Sequence, residues 1–208
     1  MPSRLVAALL PLRCPGCGAP AEPVCARCAA TLRVAPVAPA PTGVDAWGAP
    51  FAYEGVAREL VARVKYRGMH AATAWLALRM VALVEPPVPL VVSWAPTTRA
   101  RRRARGFDHA ELLARAVGRL LRRPVRGLLA RQPGVAQTGR AAADRRVGPV
   151  FRARSRVPSS ILVVDDVATT GATAAAAAKA LRAHGADRVV VITAARTPTP
   201  WVDAASGG

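Results

Sequence analysis

The sequence predicts an α/β protein: a mainly parallel sheet flanked by helices, preceded by a small N-terminal four-cysteine knuckle. Three observations carry that expectation. Residues 161–193 read as strand, helix and strand in close succession. Hydrophobic residues make up 52% of the chain but aromatic residues only 4%, so the core is expected to be Ala, Val and Leu packed between helices and sheet rather than the faces of an all-β sandwich. All four cysteines fall before residue 33. A length of 208 residues suits one principal core with an appendage. The expected division is a knuckle at 1–33, a Pro/Ala-rich linker at 34–50 and the main domain at 51–208.

Residues 1–12 hold one arginine and a brief apolar run. They read as a short helix, since no A-x-A-like cleavage site follows. Cys14, Cys17, Cys25 and Cys28 then form two C-x-x-C pairs. Four thiolates in two such knuckles can surround a structural Zn2+ tetrahedrally, with Gly16 and Gly18 permitting tight turns. A catalytic metal fits poorly, because four sulfur ligands leave no open position. A disulfide pair or a thioredoxin-like redox pair fits less well than zinc, given the doubled motif and the lack of an export signal.

Beyond the linker, Val56, Leu60, Val61 and Val64 recur at helical spacing over 55–66, and 71–84 continues as a second apolar helix until Pro86 and Pro87 stop it. Residues 90–94 are β-branched and apolar, a buried strand ended by Ala95 and Pro96 and opening into an arginine-rich loop. Residues 107–122 form an amphipathic helix, with Asp108 and Glu111 near its start and Arg122 near its end as the helix dipole prefers. A strand is expected at 125–129. The stretch from there to about residue 150 has no period and is long enough to suggest a functional loop. An apolar strand at 161–164, an Ala-rich helix at 173–184 stopped by Gly185 and a strand at 188–193 complete a βαβ unit, hence a parallel pair with a right-handed crossover.

Ligands of open parallel sheets lie beyond the carboxyl ends of the strands, where Asp165 and Asp166 fall. Adjacent carboxylates there repel each other unless something cationic or hydroxyl-bearing meets them. A ribose diol, with Mg2+ nearby, would do so. Ala168, Thr169, Thr170, Gly171, Ala172 and Thr173 follow immediately. Their small side chains leave main-chain N–H groups accessible, three hydroxyls can donate, and a helix N-terminus stands behind, which together suit a phosphate monoester. An ordinary capped βα turn is the simpler reading of a lone Asp-x-x-Thr, but the run 163–173 is far longer. No Gly-x-x-x-x-Gly-Lys-Ser/Thr run and no Gly-x-Gly-x-x-Gly follows a strand, which disfavours a P-loop triphosphatase and a dinucleotide fold.

The run 163–173 resembles the phosphoribosyl-diphosphate (PRPP) motif of type I phosphoribosyltransferases, whose paired acids contact the ribose hydroxyls and whose threonine loop holds the 5′-phosphate. Joined to the cysteine knuckle, it is similar to the ComF family, phosphoribosyltransferase-like proteins linked to bacterial competence and DNA uptake. Lys65-Tyr66-Arg67-Gly68 and Arg105-Gly106-Phe107-Asp108-His109-Ala110 also resemble segments of that family. The resemblance implies a type I phosphoribosyltransferase-like sheet, with Asp165 and Asp166 at the catalytic centre and PRPP with Mg2+ bound at 168–173. It further implies a pyrophosphate loop at 95–105 and a hood at 131–150, with Lys65, Arg99, Arg103, Arg105, Gln137 and Arg145 as contacts. The implied reaction moves phosphoribosyl to or from an unidentified base or amine. This chain departs from the family pattern where Asp108-His109 replaces Asn-Gln. The usual hood Asn is also missing, its place falling on Gly148 or Arg146.

A net charge of +18 attracts polyanions, although a high-GC genome also enriches Arg. The arginines near 99–105 therefore also fit a solvated loop or a nucleic-acid surface. Two alternatives follow: a non-catalytic competence factor that binds single-stranded DNA or competence-machinery proteins, and a regulator that senses PRPP. His109 is expected to face solvent or cap its helix, and Trp47, Trp75, Trp94 and Trp201 to serve as core or lid residues. No apolar stretch approaches the roughly 18 residues of a membrane span. The expected location is the cytoplasm, without membrane insertion.

Overall fold

The computed structural model describes residues 13–21, 23–67, 70–132 and 148–198. The helix expected at 1–12, together with Gln137, Arg145 and Trp201, lies outside them.

The central strand β6 (Ser160–Ala168) runs between β3 (Val91–Trp94) and β7 (Arg188–Arg196). On the far side of β7 lie β1 (Ala46–Gly48) and then β2 (Phe51–Ala52). Every pairing in this sheet is parallel. A separate antiparallel ribbon joins β4 (Leu129–Arg131) to β5 (Phe151–Ala153). Four helices pack on the central sheet: α2 (Gly55–Arg67), α3 (His70–Val81), α5 (His109–Leu121) and α6 (Ala172–Arg182). Two short ones lie outside it, α1 (Ala26–Ala29) in the knuckle and α4 (Arg99–Arg105) beyond β3.

Alternation along β6 decides which helix each residue meets. Ile161 and Val163 pack with Val189 and Val191 against Ala177, Ala178 and Leu181 of α6 and against Phe151 of the ribbon. Leu162 and Val164 pack with Val190 and Ile192 against Leu60 and Val64 of α2, Leu76 and Met80 of α3, and Leu113 and Val117 of α5. Continued by two residues, the same alternation turns Asp165 to the α6 face and Asp166 to the face of α2 and α5. The sheet is thus covered on both sides, which explains why its strands are apolar runs rather than alternating ones.

Several elements differ from the sequence expectation. β6 and β7 run on to Ala168 and Arg196, because pairing between them holds to the register Ala168↔Arg196 despite the low strand propensity of Asp. Val125 makes only an isolated parallel bridge to Val92. The strand in that region is β4, whose partner β5 follows the end of the aperiodic stretch. Residues 99–105 are helix, not loop: the Thr98 hydroxyl accepts from Arg101 N–H, and Gly106 closes the helix at φ 79°. The stretch 34–50 contains the edge strand β1. Trp75 stacks on Phe51 at 5.4 Å between ring centroids. Among the described residues, no helix is long and apolar enough to cross a membrane.

Leu162 is fully buried in the central strand. Leu162→Ala should cost about 2–5 kcal/mol, read as a lower urea midpoint with an unchanged slope.

Candidate functional site

β3 ends opposite Val164, so the last four residues of β6 extend past it and open a hollow at the carboxyl edge of the sheet. The turn 168–171 then feeds α6. Gly171, at φ 78°, is the helix N-cap and makes no side-chain cap bond. A side chain there would be strained and would meet the Pro41 ring at 2.7 Å, so the turn requires glycine twice over. Ala172 and Ala174 place only methyl groups in the first turn of α6. The Thr170 hydroxyl accepts from Ala172 N–H at 3.4 Å.

The hollow, open to solvent, lies between Asp165, the turn 168–173, Thr193 and Ala95. The structure therefore brings Asp165 together with Ala168, Thr169, Thr170, Gly171, Ala172 and Thr173. Donors and a helix dipole line one wall, a carboxylate stands on another, and Val163, Val167 and Val191 supply an apolar floor. Such a hollow can hold the anionic end of a ligand at the helix and a cationic or hydroxyl-bearing part at the acid.

Asp166 is not on that wall. Its Oδ2 lies 2.9 Å from Lys65 Nζ and 2.8 Å from His109 Nε2. Its Oδ1 accepts from Val167 N–H at 2.6 Å, while Asp165 Oδ1 accepts from Asp166 N–H at 2.8 Å. The two acids consequently titrate in opposite directions. Burial, and next the charge of Asp166, push Asp165 well above the usual carboxylate range. Burial also opposes ionisation of Asp166, but His109 and Lys65 outweigh it and hold that carboxyl well below the range.

His109 thus differs from its sequence expectation: it is 7% exposed and bound to an acid of the strand end. The helix cap is Asp108 instead, whose carboxylate accepts from Ala110 N–H and also from Thr97 N–H. Lys65 reaches Asp166 rather than the hollow. Arg99 and Arg103 stand exposed on α4, and Arg105 Nη1 lies 3.3 Å from His109 Nδ1. Sequence reasoning missed two neighbours. Thr193 faces the hollow because it is in register with Asp165, a pairing no local pattern encodes. Arg131 lies over the Phe151 ring at 5.8 Å; burial and the nearby Arg101 lower its pKa while Asp165 raises it.

The second candidate site is the knuckle. The sulfurs of Cys14, Cys17, Cys25 and Cys28 all lie within 4.8 Å of one another. Cys17 and Cys25 are 3.6 Å apart, close to the edge of about 3.8 Å in a tetrahedron with metal–sulfur bonds of about 2.3 Å. Gly18 takes the left-handed turn at φ 74°, and Cβ contacts at Gly16 would fall 2.7 Å from Cys28 Sγ and 2.8 Å from Val56. Desolvation opposes ionisation of Cys14, but the main-chain N–H groups of Cys25, Cys17 and Gly16 bring its thiol down to about 6. The hydrogen bond of Cys28 with the Cys14 sulfur, and then burial, push its thiol up to about 12. Packed thiols sharing protons so unequally fit a thiophilic cation.

No family model matches the chain, and no curated protein matches it. Solved structures do. An allosteric regulatory enzyme of purine biosynthesis is 20% identical over 64% of this chain and 30% of that one, at a TM-score of 0.41. The hypoxanthine phosphoribosyltransferase of Trypanosoma cruzi is 16% identical over 69% of this chain and 76% of that one, at 0.36. The adenine phosphoribosyltransferase of Leishmania donovani is 25% identical over 59% and 50%, at 0.33. This chain spans about a third of the length of the purine-biosynthesis enzyme.

The opposite titrations give opposite stability effects. Asp166 is depressed, so its contribution is present above the unfolded carboxylate pKa and is lost as pH falls through its folded value. Asp165 is raised, so its ionised form costs stability at neutral pH, and that cost disappears as pH falls through its folded value. At neutral pH Asp165→Asn should therefore raise the melting temperature. Asp166→Asn should destabilise by about 1.5–3 kcal/mol, as expected for losing charged hydrogen bonds. Paired thermal melts of the two variants check both signs.

Proposed function

We propose that this chain binds magnesium PRPP and transfers its phosphoribosyl group to a base or amine, as a phosphoribosyltransferase-like protein of the ComF type. One observation carries the reading: the hollow at the head of α6 joins a glycine-capped helix start and threonine hydroxyls to a half-buried carboxylate whose charge lacks full compensation. The 5′-phosphate fits the turn 169–173, where main-chain N–H groups donate and the dipole of α6 favours negative charge. The ribose diol fits Asp165. That carboxylate, raised by burial, also suits Mg2+, which when bound would offset charge on the pyrophosphate.

In the transfer the bond from C1 to the pyrophosphate oxygen breaks and the pyrophosphate leaves with its electron pair. A bond from C1 to the acceptor nitrogen forms, and the nitrogen loses its proton to solvent. Asp165 would stabilise the positive charge that develops on the ribosyl ring. Arg131 and Arg101, which share a neighbourhood with Asp165, and the α4 residues Arg99, Arg103 and Arg105 would face the departing pyrophosphate; Gln137 and Arg145 are the further contacts that the family resemblance implies. Asp166 acts on the site from behind, through Asp165 and Val167.

The knuckle is proposed to hold one structural Zn2+ through its four thiolates, which fits a reducing cytoplasmic location. A second reading is favoured by α4, which buries no residue and presents Arg99, Arg101, Arg102 and Arg103 to solvent. It is that of a competence factor holding single-stranded DNA along this helix.

Titration calorimetry with magnesium PRPP should show binding to the wild type, weakened about tenfold or more in Asp165→Asn, the loss of one strong polar contact. Failure of both proteins to bind removes the proposed transfer. Binding of single-stranded DNA with a salt slope flattened by α4 substitutions would favour the second reading. Metal analysis should return one zinc per chain, lost together with solubility in Cys28→Ser; a folded, zinc-free wild type would refute the knuckle assignment.

A further inference from the structure

The buried ring of His109 is unused by the chemistry proposed above, yet its neighbours fix its protonation. Arg105 Nη1 lies 3.3 Å from Nδ1, and Asp166 Oδ2 lies 2.8 Å from Nε2. A guanidinium has donors and no acceptor. Nδ1 must therefore accept from Arg105, which leaves the ring proton on Nε2, the nitrogen that lies 2.8 Å from Asp166 Oδ2. The hydrogen bonds continue inward, because Asp166 Oδ1 accepts from Val167 N–H and Asp165 Oδ1 accepts from Asp166 N–H. One connected path thus runs from the arginine-rich helix α4 to the carboxylate on the wall of the hollow.

We infer that His109, as its neutral Nε2–H tautomer, is a positioning residue for the sugar-phosphate site, setting the seat of α4 and the direction of the Asp165 carboxylate together. The inference rests on the reading of that hollow given above. His109 and Asp166 are 7% and 8% exposed, so water has little room to replace either partner. Without the ring, Asp166 Oδ2 keeps Lys65, and the contact that runs from Arg105 through the ring to β6 is lost. A second ring proton would point Nδ1–H at Arg105 and expel that hydrogen bond. The charged groups around the ring are Arg105 from α4, Asp166 and beyond it Asp165 from β6, and Lys65 from α2. Glutamine reproduces the needed pair, an amide N–H toward Asp166 and a carbonyl toward Arg105, and cannot take a second proton.

The test is calorimetric binding of magnesium PRPP to wild type, His109→Gln and His109→Ala. Nitrogen-detected NMR of the ring accompanies it. The Ala variant should bind about tenfold more weakly while Gln stays within about threefold of wild type. Equal affinity of a folded Ala variant, or a Gln variant as weak as Ala, would overturn the assignment. Should His109→Ala fail to fold, the Gln affinity and the ring spectrum decide. Should the wild type itself not bind, the sugar-phosphate reading fails, and the spectrum still judges the array. A bare Nδ1 and a protonated Nε2, both shifted in Asp166→Asn and Arg105→Met, retain it; an Nδ1–H ring indifferent to both variants ends it.

Discussion

Two carboxylates on consecutive residues of a buried strand cannot share one environment, since the backbone sends them to opposite faces of the sheet. Here those faces are chemically unlike. Asp166 enters the layer of α2 and α5, where burying a lone charge would cost several kcal/mol, and two nitrogen groups meet it at hydrogen-bonding distance. Asp165 emerges on the α6 side, with no cation at comparable range among the described residues and a hollow in front of it. The strand end therefore carries one satisfied acid and one under-satisfied acid, and the second is where a ligand gains most by binding. Strongly perturbed titration beside a cleft is what a functional site needs and what a purely structural strand would avoid.

The opposite wall of the hollow depends on an equally specific backbone. Gly171 adopts the left-handed turn that lets β6 run straight into α6, and the Pro41 ring occupies the space that a Cβ there would need. Pro41 belongs to the chain that leads into β1, where Trp47 carries the Arg196 guanidinium 3.8 Å from its ring centroid and donates from Nε1 to Ala38. Arg196 in turn donates to Pro36 O and closes β7 beside Ala168. The proline-rich segment is thus a strap that holds the turn at Gly171 from outside. Its composition suits the task, because proline limits the conformations of a segment with little regular pairing of its own.

What could be read from the sequence follows from how local each signal is. The apolar run before Asp165, the threonines after it and the alanine-rich helix beyond are contiguous, so the βαβ unit and its turn are legible without tertiary knowledge. So are the cysteine pairs, whose spacing alone places two sulfurs at each knuckle. His109 was not legible as a partner of Asp166: it begins an amphipathic helix, and its ring meets the acid only because α5 packs across β6 and β3. Thr193 depended on strand register, and β1 was hidden by the prolines around it. The extension of β6 through two aspartates contradicts strand propensity and is imposed by pairing with β7.

The knuckle connects to this same strand end. Its loop packs on α2, with Gly16 against Val56 and Arg63 Nη1 donating to Arg13 O at 2.6 Å. Two helical turns along, α2 carries Lys65 to Asp166. A segment this small cannot form a core of its own, so metal held by its thiolates would supply the free energy that orders it. Ordering it also fixes one side of α2, the helix that delivers the lysine. The four sulfurs and the acid pair, separated by most of the sequence, are in this way joined through a single helix. Metal loss should consequently be felt first as loosened ion pairing behind the hollow, before the sheet itself gives way.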